Sequence, residues 1–456
     1  MDRPLLIAAR RLLLKRMFSA RPCAIPEECV INDIENNVHK PRNHPGIMTP
    51  RTVLIPESFI KAVINATQDY PLKALLEGGE KLGRHLNGRV PPLEKEEIKE
   101  RIQSIQQKVL SRCDNLSINS KDDEHRFKQR VHDKVKKIVS EQIYNWKPIK
   151  YDVYNSLLYL LNRSAAEYAV LVKILGEIEL RDKGFKPRSL FDFGSGVGTA
   201  TWAANTYWKQ NIFEYFNVDI SRDMNDLAQT LLQGGKFTGK QNMKGVFHRQ
   251  FLPATKVTYD LVFSAYSMLE LPSLQARLET ALNLWNKTEK YLIIVEQGTN
   301  AGFKIVNEIR DFILQIDKEP NVGTVFSPCP HDDTCPRFVL DDGTPCNFEV
   351  TYFSLPVGAS SESRKELYSY VVLKKGRPEE IDQRWPRLVR PTLVRSKHSI
   401  CRMCSAKGKL GEVIFTASKH GKSMYHCARA SKWGDLLPVK IQDTIEDVDC
   451  DITDQN

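Results

Sequence analysis

Asp192, Gly194, Gly196 and Gly198 stand within one short run, S-L-F-D-F-G-S-G-V-G-T-A, from Ser189 to Ala200. Leu190 and Phe191 lead into the acid, and the three glycines precede Thr201, Trp202, Ala203 and Ala204. This reads as a buried strand turning sharply into a helix, its glycines free to take positive φ and to let a ligand approach the backbone. Such turns also serve purely structural ends, so the run gains meaning from its sequel. Tyr215-Phe216-Asn217-Val218-Asp219 is a second short strand ending in an acid, 25 residues after Gly194. In doubly wound folds an acid there bonds the ribose hydroxyls of a nucleoside-containing cofactor.

A second group of reactive residues lies late in the chain. Six of the ten cysteines fall between Cys329 and Cys427. Cys329, Cys335 and Cys346 sit in S-P-C-P-H-D-D-T-C-P-R-F-V-L-D-D-G-T-P-C, and Cys401-Arg-Met-Cys404 follows. Thiolates select zinc or iron–sulfur centres. Paired C-x-x-C knuckles mark a zinc site, but only one such pair is present. Irregular spacing with Cys-Pro framing suits an iron–sulfur cluster better, and a metal of some kind is the favoured reading, with unliganded core residues as the alternative for Cys401 or Cys427. His331, His398 and His426 lie nearby and read as structural.

A dinucleotide site requires G-x-G-x-x-G, with helix-start amides facing a pyrophosphate. Here D-F-G-S-G-V-G places an acid before the first glycine, which resembles motif I of class I S-adenosylmethionine-dependent methyltransferases. That resemblance puts Asp192 near the cationic methionine moiety and Asp219 on the ribose. The cofactor-holding set is then Asp192, Gly194, Ser195, Gly196, Gly198, Asp219 and Gln250, with residues 248–252 bordering the adenine.

The elements that must position these residues follow a βα alternation. Strands are expected near 189–193, 215–219, 246–248, 259–264, 290–296, 346–355 and 366–374, with residues 151–181 forming a long helix over the sheet. The fold class is α/β: a Rossmann-like, seven-stranded doubly wound sheet over residues 151–376, closed by an antiparallel hairpin. The cysteine-rich segment 327–346 is expected between the fifth strand's helix and the sixth strand. Residues 22–150 read as a helical N-terminal domain. Its stripes are Ile98, Ile102, Ile105 and Val109, then Phe127, Val131, Val135 and Ile138. Residues 377–442 form a basic, cysteine-containing, β-rich extension, and 443–456 an acidic tail.

Residues 1–21 carry Arg3, Arg10, Arg11, Lys15, Arg16 and Arg21 against Asp2 alone, the composition of a mitochondrial transit peptide. No apolar run is long enough to span a membrane. A net charge of +10 points toward an anionic partner such as nucleic acid. Arg384, Arg387, Arg390, Arg395 and Lys397, and the helix bearing Lys134, Lys136 and Lys137, offer phosphate contacts, although a charge run is as often a solvated face.

Taken together, the import signal, the glycine loop, V-F-S-A-Y-S-M-L-E-L-P, I-I-V-E-Q-G-T, the C-P-H-x4-P spacing and the late W-G-D-L-L-P block resemble the Rsm22-like family of small-ribosomal-subunit assembly proteins. The resemblance implies a monomeric mitochondrial matrix protein that binds the maturing small subunit, its 12S-type rRNA and its ribosomal proteins, with no membrane contact. It also implies a [4Fe–4S] cluster on Cys329, Cys335, Cys346 and Cys404, with Cys401 in reserve.

Catalytic machinery is harder to find. Base-amine methyltransferases grip a flipped base with an N/D/S-P-P-Y/F/W motif after the fourth strand. Ser264-Ala265-Tyr266-Ser267 stands there instead, and no nucleophilic cysteine occurs between Cys113 and Cys329. Glu270 and Glu296 lie at strand ends, where acids are common. No catalytic residue is assigned: the expectation is an assembly factor on an inactive methyltransferase scaffold, with an active rRNA methyltransferase as the alternative.

Overall fold

The computed structural model describes residues 23–48, 50–111, 121–142, 146–237, 240–253, 257–316, 322–378 and 384–442. The expected transit peptide and acidic tail lie outside these residues. Among them, no helix is long and apolar enough to cross a membrane.

The centre is a mixed sheet. Its strands are β1 (Ser189–Phe193), β2 (Glu214–Val218), β3 (Val246–Arg249), β4 (Tyr259–Ala265), β5 (Thr288–Gln297), β6 (Gly323–Ser327), β7 (Phe348–Phe353) and β8 (Ser363–Lys375). From one edge the order is β3-β2-β1-β4-β5-β8, with β6 and β7 both on the outer side of β8 and Thr52–Val53 beyond β7. β8 alone runs against its neighbours, as expected for a closing hairpin. The strands that are buried on both faces read as continuous apolar runs, as in Leu292–Val295.

The cysteine segment does not precede the sixth strand but interrupts it. β6 ends with Ser327 opposite Val372, and β7 begins with Phe348 opposite Tyr368. Both halves pair with the same strand, so residues 328–347 bulge out of one edge, and Cys346 sits on the loop rather than in a strand. The Ser369 hydroxyl of β8 donates to the Cys346 carbonyl at 2.8 Å, fastening the loop's end.

Helix α1 (Val153–Arg181) starts on an Asp152 cap whose carboxylate accepts from the Asn155 amide at 2.9 Å. It packs on one sheet face with α2 (Thr199–Trp208) and α3 (Arg222–Leu232), while α4 (Leu274–Asn286) and α5 (Asn300–Leu314) cover the other. The helices Glu57–Thr67 and Leu72–Asn87 join the first layer through Phe59, Val63 and Leu75. The stripes of Lys95–Ser111 and Lys121–Gln142 pack against each other, Ile105 and Val109 on Val131.

The C-terminal region is a small sheet of β9 (Arg387–Leu388), β10 (Leu393–Val394), β11 (His398–Cys404) and β12 (Leu410–Thr416), with helix α6 (Ala417–Ala430) upon it. Cys427, expected in a β-rich tail, lies on that helix. Residues 23–48, expected with the N-terminal helices, belong here too. Cys23–Pro26 pairs antiparallel with Val439–Gln442, and Ala24, Val30, Ile34 and Met48 share a core with Met403, Phe415 and Leu437. The W-G-D-L-L-P block ties the pieces together: the Asp435 carboxylate accepts from the Met48 amide at 2.9 Å, and the Leu436 amide donates to Gly46.

Candidate functional site

Two sites emerge, at opposite ends of the sequence argument. The first is the crevice above the carboxyl ends of β1, β2 and β4. The amides of Gly194 and Ser195 both donate to the Val218 carbonyl, which clamps the loop onto the end of β2. All three glycines have positive φ. Their reasons differ. A Cβ on Gly194 would strike the Ser267 side chain at 2.4 Å, so that glycine serves packing. Nothing lies within 4 Å of the Cβ position of Gly196, so its open side is free for a ligand.

Asp219 accepts from the Gly196 amide at 2.8 Å through one oxygen and from the Ser221 amide at 2.8 Å through the other. The Gln250 amide group donates to the Ile220 carbonyl, and Ile220 and Phe251 stand exposed beside it. Those two apolar side chains next to a ribose-type acid suit the faces of an adenine ring. Ile220 was not anticipated from sequence, since a lone isoleucine after a strand carries no pattern.

At the other end of the crevice Asp192 is buried, and its Oδ1 has no hydrogen-bond partner; Ser195 Oγ is likewise unpartnered. Burial, then the charges of Asp219 and Glu167, push the Asp192 carboxyl up to about 8. Burial pushes Glu296 up to about 8 and Glu167 to about 7, the latter opposed by Arg163. A buried cluster of acids with one orphaned oxygen is relieved by a cationic ligand. The donor set therefore fits S-adenosylmethionine: an apolar rim, a ribose acid, an open glycine and an acid for the methionine end.

Sequence reasoning missed the layer beneath. Arg163 of α1 donates to Glu366 at 2.9 Å and lies over the Tyr266 ring, 5.4 Å from its centroid. Glu167, one turn on, accepts from Tyr159 at 2.5 Å. The signal was present: Arg163 and Glu167 are charges four residues apart on the buried face of an otherwise apolar helix. A strap of residues 146–151 bridges the turns after β4 and β2, with Trp146 donating to the Leu269 carbonyl at one end and the Tyr151 carbonyl accepting from Ser221 at the other. Arg89 pairs with Glu270 beneath the strap.

At the acceptor position, Ser264 and Ser267 hydroxyls bond each other at 2.7 Å, and Ser267 donates to the Phe193 carbonyl at 3.0 Å. Tyr266 takes φ +57, and its buried hydroxyl lacks a partner. Glu296 accepts from the Leu269 amide at 3.1 Å, holding the turn after β4.

The second site is the cysteine loop. Cys329, Cys335, Cys346 and Cys404 line one cavity, together with Pro328, Pro336 and Arg390. Because side chains alternate along a strand, Cys401 and Cys404 of β11 face opposite ways. Cys404 turns to the loop; Cys401 is fully buried in the C-terminal core against the Ala428 carbonyl. Burial raises the Cys335 thiol to about 11, with Cys329 adding to it. Burial raises the Cys404 thiol well above its usual range too, as do Cys329, Cys346 and Cys335. Four thiolates here would repel one another, and a cationic centre among them removes that cost. Among the described residues no three ligand side chains converge on a point for a single ion; the thiols rim the cavity instead. His331 lies at 3.3 Å from Cys404 Sγ and at 3.1 Å from the Asp333 carbonyl.

The basic run expected to meet phosphate is largely structural. Arg387 is buried and forms a bidentate pair with Glu177 of α1, at 2.5 and 3.0 Å. Burial alone would raise the Glu177 carboxyl, yet Arg387 and Arg181 bring it below its usual range. Arg384 binds Asp332 at 2.7 Å, and Arg390 donates to the Pro345 carbonyl and lies over Trp433. Only Arg395 and Lys397 of that run are exposed.

Residues 153–438, which include both sites, match the family described as mitochondrial small ribosomal subunit Rsm22. The chain belongs to the Rsm22 family. It is 36% identical over 403 residues to the human mitochondrial ribosome assembly protein METTL17, covering 87% of this chain and 86% of that protein. The mitochondrial ribosome assembly protein RSM22 of Saccharomyces cerevisiae is 21% identical over 59% of this chain and 64% of its own length. Among solved structures, magnesium protoporphyrin IX methyltransferase from Synechocystis PCC 6803 is similar at 14% identity and a TM-score of 0.31, over 52% of this chain and 89% of that one.

Proposed function

We propose that this Rsm22-family chain is a mitochondrial matrix factor that assists assembly of the small ribosomal subunit and binds its rRNA. The observation that carries the reading is the family match, which runs unbroken across crevice and cysteine cavity. The crevice binds S-adenosylmethionine, which when bound supplies an electrophilic methyl group on a sulfonium centre. Asp219 holds the ribose, Asp192 faces the cationic end, and Ile220 and Phe251 flank the adenine. The hydroxyls of Ser264 and Ser267 are committed to each other and to Phe193, so the acceptor position offers no grip on a base. Cofactor binding without methyl transfer follows.

In the same reading, Cys329, Cys335, Cys346 and Cys404 hold a [4Fe–4S] cluster. Zinc at about 2.3 Å from each sulfur needs the thiols drawn tightly round one point. Thiols rimming a cavity suit a multinuclear centre better. The cluster joins the loop in the sixth strand to β11, and so fastens the C-terminal module to the sheet.

The test uses cells lacking the endogenous protein, complemented with wild type, Asp219→Ala or Cys335→Ser, followed by sedimentation of mitochondrial ribosomes and mapping of rRNA methylation. Wild type and Asp219→Ala should restore small subunits with identical methyl maps, and Cys335→Ser should not restore them. A specific methyl mark that disappears with Asp219→Ala would instead make the chain an rRNA methyltransferase.

A further inference from the structure

Between β3 and β4 the chain crosses two strands in residues 250–258, and no helix occurs among the described residues of that connection. A parallel crossover ordinarily takes a dozen or more residues and carries a helix onto the sheet. Among the described residues no helix covers the face beside the edge strand β3, and from this connection Leu252 packs against the apolar cluster that Phe216 also joins. Phe247 of β3 is 45% exposed on that face, and Arg249, two residues on, points to the same side and is also exposed.

The floor behind Phe247 is aromatic and rigid. Its neighbour in register is Phe216, which stacks on Phe191 at 5.8 Å and 12° and meets Tyr259 at 6.0 Å. Edge strands usually carry charge rather than exposed phenylalanine, because an apolar edge invites pairing. Exposed cations, Lys244 and Arg249, bracket this one. From Leu227 to Tyr259 the sequence contains Lys236, Lys240, Lys244, Arg249 and Lys256 and no Asp or Glu. Glu214 acts on Tyr259 at the far end of the strands, and Asp226 acts on His248, whose side chain alternates to the other face. Among the described residues Arg249 makes no ion pair; its guanidinium donates to the neighbouring His248 carbonyl at 3.0 Å.

We propose that this edge, centred on Phe247 and flanked by Lys244 and Arg249, is a stacking platform for single-stranded RNA. Exposed aromatics on a sheet face with cations beside them take up unpaired bases by stacking and the backbone by charge. An apolar partner would bury the cations unpaired, whereas a single-stranded polyanion pairs them while its bases stack on the aromatic ring. The proposal rests on the RNA partner in the function proposed above, and it assigns a surface distinct from Arg395 and Lys397. The platform adjoins the adenosine end of the crevice, since the Asp219 amide donates to the Arg249 carbonyl at 3.0 Å.

The experiment measures binding of a fluorescein-labelled uridine dodecamer to the purified protein by anisotropy across a salt series, for wild type, Phe247→Leu, Phe247→Tyr and Arg249→Gln. Phe247→Leu keeps an apolar side chain at the edge but cannot stack, and should weaken binding about tenfold with an unchanged salt slope. Phe247→Tyr should retain affinity. Arg249→Gln should lower the slope by roughly one unit. Equal affinity of Phe247→Leu and wild type, with equal thermal melts, overturns the platform. A dimer in sedimentation equilibrium that Phe247→Leu dissolves also overturns it, in favour of a second copy. Association with small subunits, measured in parallel, separates the readings: subunits bound normally by a Phe247→Leu protein that has lost the oligonucleotide leave the assembly role intact, and place its rRNA contact elsewhere.

Discussion

The crevice and the cysteine cavity are built in contrasting ways. In the crevice, the groups that face a ligand are set by backbone: a glycine loop clamped on Val218 and an acid held by the Gly196 and Ser221 amides. In the cavity, side chains from a loop and a distant strand meet only because β6 and β7 share one partner strand and β11 folds back against the loop between them. The first site tolerates loss of a side chain and keeps its shape. The second has no shape of its own without the module that supplies Cys404. If both sites are filled as proposed, a ligand should contribute affinity in the first and folding free energy in the second.

That contrast breaks most visibly at the cysteines. Cys335→Ser should abolish iron and sulfide in anaerobically purified protein and release the C-terminal module to proteolysis, since structural metal ligation supplies on the order of 10 kcal/mol to small metallo-domains. Iron content equal to wild type would break the assignment. Cys401→Ser should keep the iron, because its thiol faces the opposite side of β11.

Next comes the pin between the two regions. Glu177→Gln leaves Arg387 buried and uncompensated, and should cost about 3–5 kcal/mol in urea unfolding. Unchanged stability would mean that the module is not fastened through α1.

A pH experiment sharpens the crevice side. Burial, then the charges of Asp219 and Glu167, push the folded Asp192 carboxyl up to about 8, against about 3.9 for an unfolded aspartate. Its contribution to ligand-free stability is full below about pH 3.9 and is lost as pH rises through about 8. Asp192→Asn removes that loss, so its unfolding free energy in urea titrations should match wild type at acidic pH and exceed it at alkaline pH, by a few kcal/mol at most. The same variant should bind S-adenosylmethionine more weakly, because the ionised acid that meets the cation is gone.

The smallest effect belongs to the ribose acid. Asp219→Ala should weaken cofactor binding by about 1.5–3 kcal/mol, one to two decades in calorimetry, with the fold unchanged. If it released a part of the fold to proteolysis as Cys335→Ser should, the crevice would be as structural as the cavity and the contrast would fail.

The sequence by itself determined the glycine loop, the acids before and after it and the βα alternation, because each is encoded within a few residues: strand-to-turn chemistry and period-2 apolar runs are local. Only the tertiary structure decided the rest. It showed that the cysteine segment splits the sixth strand, since strand β6 carries no signal apart from its pairing with β8. It turned Cys404 toward the cavity and Cys401 away, a matter of which face of β11 is covered. It drew residues 23–48 into the C-terminal core, a contact across the whole chain. It also took Arg387 out of the expected phosphate surface, because a charge run shows its composition in one dimension, while its partner, Glu177, lies 210 residues away.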